Sequence, residues 1–202
     1  MKLELTPEGI EFDKVENELD KLTFKFCSIL NKHKIEYVIV SGYVAILFGR
    51  NRMSEDIDII IKKITEEQFH QVWNDLIEEL LCINAEDCTE GYREYLSNST
   101  SLRFSQKERP LPNVEIKFAD DDLDEWTLKH KIKVIVNDNV IFISPIELQI
   151  AFKLHLGSEK DKEDAYYLFE LFKKRINKEQ LLEWGRKLNI EKELQWLQYE
   201  TP

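Results

Sequence analysis

The sequence predicts an α+β protein of α/β-like character, a mixed β-sheet flanked by helices and followed by a C-terminal helical lobe. Three observations carry this. A β-branched run from Ile35 to Val40 ends at Ser41-Gly42 and gives way to a short apolar stretch, the pattern of strand, turn and helix. "DIDIIIK" at residues 56–62 is a second strand, opening with aspartate and isoleucine in alternation. Beyond Ser144 the apolar spacing is helical throughout.

Taken in order, Val15, Leu19, Leu22, Phe26 and Leu30 fall at helical spacing and predict an amphipathic helix over residues 11–33. Tyr43 to Phe48 is a short helix closed by Gly49, and Thr65 opens a helix running from Glu66 to Leu81. Residues 86–99 are polar and read as loop. Strands follow at Leu102–Ser105 and Val114–Phe118, joined by a link containing Pro110 and Pro112. Lys131–Val136 and Val140–Ile143 flank Asn137-Asp138-Asn139 as a hairpin. Ser144-Pro145-Ile146-Glu147 combines an N-cap, a first-turn proline and a capping-box glutamate. Gly157 ends that helix, Ser158 caps the next, Asn177 with Gln180 opens a third, and 190–199 form a fourth. The expected organisation is an N-terminal helix at 1–34 packed on the core, a sheet domain at 35–143, and a helical lobe at 144–202.

The 202 residues, 43% hydrophobic and 33% charged, describe an ordinary globular chain with no apolar run of membrane-spanning length and no signal-peptide core at the start. Cys27, Cys82 and Cys88 lack metal-site spacing and read as reduced thiols, so a cytoplasmic location is expected. A net charge of −11 argues against bulk duplex DNA binding, which needs a positive footprint.

Side chains alternate along a strand, so Asp56 and Asp58 share one face while Ile57, Ile59 and Ile61 claim the core. In "PNVEIKFA" the core takes Val114, Ile116 and Phe118, leaving Glu115 and Lys117 opposite. If both strands join one sheet, Glu115 lies on the face of Asp56 and Asp58, and the three carboxylates repel unless a cation sits among them. Oxygen-only ligands favour Mg2+ or Mn2+. The alternative is a strand end whose aspartates face water. Ser41-Gly42 is either a turn that lets a phosphate approach the backbone or a plain strand–helix connection.

The stretch "VSGYVAILFGRNRMSEDIDIII", with its order of strand, small-residue turn, short helix and Arg-x-Ser-x-Asp-hydrophobic-Asp, resembles the nucleotidyltransferases of the DNA polymerase β-like superfamily. It is most similar to small prokaryotic members related to the AbiEii abortive-infection toxins. The likeness covers roughly residues 35–118. It implies a nucleotidyltransferase fold, metal-binding aspartates Asp56 and Asp58, and a third carboxylate on a later strand, Glu115 by face parity or one of Asp120 to Asp122. Ser41, Gly42, Arg52, Ser54 and Lys153 would meet the nucleotide. Ser41 and the bulky Tyr43 depart from the two small residues many relatives carry at the turn.

A second likeness lies in "FKLHLGSEKDKEDAYYLFELF", where a helix lysine precedes a Lys-Asp-x-x-Asp helix start. Asp161 then points toward an interdomain cleft or completes a cap with Ser158, and Lys153 reaches phosphate or is solvated. Arg50 and Arg52 touch a triphosphate or balance the acidic cluster. Tyr43 and Phe48 read as core. The function implied is metal-dependent transfer of a nucleoside monophosphate from an NTP such as ATP to a hydroxyl on RNA, protein or a small molecule. If the chain is the toxin of a toxin–antitoxin pair, an antitoxin partner is expected. The competing class is a non-catalytic nucleotide- or partner-binding module with the same fold.

Overall fold

The computed structural model of the chain describes residues 3–6 and 9–199. Nine strands among the described residues form one mixed sheet: β1 (Glu4–Thr6), β2 (Gly9–Phe12), β3 (Tyr37–Val40), β4 (Asp56–Ile61), β5 (Leu80–Cys82), β6 (Leu102–Gln106), β7 (Arg109–Phe118), β8 (Ile132–Val136) and β9 (Asn139–Ile143). Their order is β1-β2-β8-β9-β3-β4-β7-β6-β5. Helices α1 (Glu18–Lys32), α2 (Gly42–Leu47), α3 (Glu66–Glu79), α4 (Cys88–Glu90) and α5 (Asp122–Lys129) are interleaved with the strands. Then α6 (Ile146–Leu156), α7 (Glu159–Phe172), α8 (Lys178–Leu188) and α9 (Glu191–Tyr199) complete the chain.

The alternation in "DIDIII" dictates the packing of β4. Ile57, Ile59 and Ile61 are buried in the main core with Leu22, Phe26 and Leu30 of α1 and Phe69, Trp73 and Leu76 of α3. Burying each such side chain contributes about 1.5–3 kcal/mol, which fixes register, since a one-residue slip would drive the aspartates into the core. On the opposite face a smaller cluster of Val38, Ile60 and Leu128 anchors the short helix α5 against β3 and β4. That helix covers only the Ile60 end of the face and leaves the Asp56 and Asp58 end uncapped by it.

Local signals hold where they are self-contained. Thr65 and Gln68 form a full capping box on α3, Asn177 accepts from the Gln180 amide on α8, and Gly157 (φ 73°) closes α6 in the left-handed region. Asn137 and Asp138, at φ 47° and 69°, make the β8–β9 hairpin turn.

Four expectations are corrected. The segment before α1 is not helical from residue 11: Asn17 caps a helix that starts at Glu18, and β1 and β2 extend the sheet beside β8. Residues 88–98 are not loop but a turn of α-helix, a π-helical turn at Gly91–Tyr95 and a 3-10 turn at Leu96–Asn98, held by Tyr92 against Phe69 and Phe118. Pro110 and Pro112 lie within β7, upstream of Asn113 where its ladder with β4 begins, so their missing N–H groups break no bond to that neighbour. Ser144 does not cap α6. Its hydroxyl accepts from Gln149, while Glu147 accepts from the backbone of Asn177 and ties α6 to the start of α8.

Candidate functional site

β4 and β7 run parallel with Asp56 opposite Asn113 and Asp58 opposite Glu115, so all four side chains share the non-core face. Asp56 and Asp58 are half-buried, and Ser54 donates its hydroxyl to Asp56 Oδ1 at 3.2 Å. Neither aspartate has an ion-pair partner among the described residues. Burial pushes the Asp58 carboxyl up from 3.8 to about 6. The charge of Asp56 adds to this, the Ser41 hydroxyl opposes it, Glu115 adds again, and Lys153 opposes. Asp58 thus feels the charges of Asp56 and Glu115 against that of Lys153, and it has no ion pair of its own among the described residues.

Glu115 is engaged from its other side, where Arg103, its register partner on β6, reaches it at 2.9 Å. The three carboxylates Asp56, Asp58 and Glu115 share a face without closing into a tight cluster.

The raised Asp58 pKa has a consequence for stability. Folded protein holds a proton that the unfolded chain releases between about pH 4 and 6, so stability falls as pH rises through that window and stays lowered above it. In metal-free buffer Asp58→Asn should therefore be more stable than the parent near neutral pH, by on the order of 2 kcal/mol, with the gap closing near pH 4. Urea midpoints at the two pH values check this, and equal midpoints near neutral pH would contradict it.

Ser41 joins β3 to α2 at φ 63° and ψ −141°, a conformation that L side chains rarely adopt, and its side chain makes no capping bond to α2. Gly42, the first residue of α2, lies against Arg52. A Cβ there would meet Arg52 Nη2 at 2.0 Å, so the glycine admits the Arg52 guanidinium against the backbone. Arg52 is nearly buried and pairs with Asp164 Oδ2 at 3.0 Å.

Asp164, on α7, is 0% exposed and is the hub of a charge network. Lys153 Nζ from α6 lies 3.0 Å from its Oδ2, and Arg50 Nε lies 3.6 Å from its Oδ1. Lys153 also bonds Asp161 at 2.9 Å, so this lysine is buried and paired, not solvated. Asp161 is capped by Ser158 and also pairs with Lys153. Burial pushes its carboxyl up, but hydrogen bonds from Ser158 and Lys153 outweigh this and hold it below the usual range, while its own amide is capped by Ser158. Both Asp164 oxygens lack a well-aligned hydrogen bond despite the short distances, so the hub is held by charge more than by direction. Asp164 closes the Lys-Asp-x-x-Asp helix start, but nothing in the sequence shows that it unites Arg50, Arg52 and Lys153.

The acidic run after β7 has its own employment. Asp121 caps α5 by accepting from the Asp124 amide, and Lys117 pairs with Asp120 at 3.3 Å and Asp124 at 2.7 Å. Oxygens of Asp120, Asp121 and Asp124 lie within 4.8 Å of one another, a donor set compatible with a hard divalent cation. It lies past the far end of the β4–β7 ladder from Asp56, beyond Phe118. Tyr43 and Phe48 are fully buried; the Tyr43 hydroxyl donates to buried Asp20, and Phe48 packs edge-on against Phe172. A cavity of about 790 Å³ beside Arg50, Tyr166 and Tyr167 does not include the aspartates.

Among solved structures, the chain is similar to an antigenic nucleotidyltransferase-like protein from Paracoccidioides brasiliensis, at 17% identity and TM-score 0.56, over 89% of this chain and 91% of that one. It is also similar to the antibiotic-resistance factor ANT(2'')-Ia, at 9% identity and TM-score 0.53, over 86% and 93% of the two chains. No family model and no curated protein matches the chain. At such identities the likeness defines the fold: a nucleotidyltransferase-like sheet with flanking helices and a C-terminal helical segment. No helix among the described residues is long and apolar enough to cross a membrane.

Proposed function

We propose that the protein is a metal-dependent nucleotidyltransferase that moves a nucleoside monophosphate from an NTP to an acceptor hydroxyl. The observation that carries this is the under-neutralised carboxylate face: Asp56 and Asp58 without a cationic partner among the described residues, and Glu115 in register with Asp58, with the Ser41 hydroxyl and the Lys153 charge acting on Asp58. Such a donor set fits Mg2+ or Mn2+, because hard cations take carboxylate oxygens and would relieve the repulsion that burial intensifies. When bound, the ion would neutralise the transferring phosphate and acidify the acceptor hydroxyl.

In the transfer the acceptor oxygen forms a bond to the α-phosphorus, the bond from that phosphorus to the bridging oxygen breaks, pyrophosphate leaves, and the hydroxyl proton passes to a carboxylate or water. Asp56 and Asp58 hold the reacting centre, and Ser54 and Ser41 orient their carboxylates. Arg52 and Lys153 set positive charge beside it while Asp164 and Asp161 keep them in place. The second reading, a binding module without turnover, draws on the Arg103–Glu115 pair, which occupies the third carboxylate. The acceptor hydroxyl would belong to an RNA end, a protein side chain or a small molecule, and a toxin role with an antitoxin partner rests on the sequence resemblance alone.

Incubation with Mg2+ and each labelled NTP, in the presence of total cellular RNA and protein, tests the reading. Label should move to one acceptor class and pyrophosphate should be released. Nucleotide binding with no transfer under any acceptor would favour the binding module.

A further inference from the structure

Asn113 belongs to the carboxylate face, yet the reaction above gives it no role. It stands opposite Asp56 on β7, two residues before Glu115, and is 6% exposed. Its Nδ2 donates to the Glu55 carbonyl at 3.3 Å, and its backbone N–H donates to the same oxygen at 2.9 Å. Its Oδ1 is buried and has no hydrogen-bond partner. Exchanging the two ends of the amide would set oxygen against the Glu55 carbonyl oxygen, so the donor end fixes the orientation and the orphan is the oxygen. A buried acceptor left unpaired costs about 1–3 kcal/mol, and the fold keeps it beside the carboxylates.

The register makes Asp56, Asp58, Asn113 and Glu115 the corners of a small rectangle, about 5 Å across the strands and about 7 Å along them. Three corners bring negative charge. The fourth brings an oxygen with none, so it adds a ligand without adding repulsion. Side-chain amide oxygens are ordinary ligands of hard cations.

We propose that Asn113 Oδ1 is a further oxygen ligand of the divalent cation held by Asp56 and Asp58. This rests on the cation site proposed above. Mn2+ titration followed by electron paramagnetic resonance, on the full chain, separates the amide's two ends. Asn113→Ala removes the oxygen and the Glu55 bond, and should weaken Mn2+ binding tenfold or more. Asn113→Asp keeps an oxygen toward the cation, adds a charge and turns its second oxygen against the Glu55 carbonyl, so it should bind Mn2+ as tightly as the parent or more tightly, although both variants lower the metal-free melting temperature. Binding by Asn113→Ala within twofold of the parent overturns the assignment, as does an Asn113→Asp variant that loses as much affinity as alanine. A parent whose Mn2+ binding is unchanged in Asp56→Asn/Asp58→Asn overturns the cation site itself, and the role of Asn113 with it.

Discussion

Asp164→Ala should destabilise the protein by about 3–5 kcal/mol, the usual cost of removing one partner from a buried ion pair. The carboxylate is 0% exposed and faces Arg50, Arg52 and Lys153. Arg50 retains Glu163 and Lys153 retains Asp161, but Arg52 loses its only ion-pair partner among the described residues while almost buried over Gly42. Most of the cost therefore falls on that guanidinium. Gly42→Ala, which would push Arg52 off its seat, should reproduce part of the loss. Urea unfolding with an unchanged m-value measures both, and an Asp164→Ala variant within 1 kcal/mol of the parent would contradict the hub.

The second large effect is on chemistry. Asp58→Ala should lower the rate of nucleotide transfer on the order of 10³-fold or more, about 4 kcal/mol of transition-state stabilisation. The fold should survive, because the half-buried carboxyl that is lost was held at a cost by burial and by Asp56. NTP binding measured without metal should change far less than turnover, since Arg52 and Lys153 keep their places through Asp164. An intact fold with reduced turnover separates a reacting-centre role from a structural one. Turnover that survives Asp58→Ala would remove the mechanism.

The sequence shows the carboxylate face because a period of two leaves little choice: once Ile57, Ile59 and Ile61 take the core, Asp56 and Asp58 go opposite, and Val114 with Ile116 does the same for Glu115. Helix caps such as Asn177 with Gln180 are equally legible, because both partners lie within one turn. What escapes the sequence is made by distant residues or by elements without a period. Arg52 and Asp164 are separated by 112 positions, and nothing local marks Asp164 as buried or Gly42 as the seat of an arginine. Nor does anything local pair Glu115 with Arg103. The π and 3-10 turns at 91–98 carry no 3.6-residue repeat, and β1 and β2 are too short to show alternation. Ser144 shows the opposite error: its capping signal is correct in composition, but Gln149 claims the hydroxyl.

The proposed transfer requires a divalent cation between Asp56 and Asp58. Anomalous diffraction from crystals grown with Mn2+ and a non-hydrolysable NTP tests it most directly. The account predicts a manganese peak within about 2.5 Å of oxygens from both aspartates, with the triphosphate completing its shell. A peak found only among Asp120, Asp121 and Asp124, with the face of Asp56 and Asp58 holding none, would contradict it.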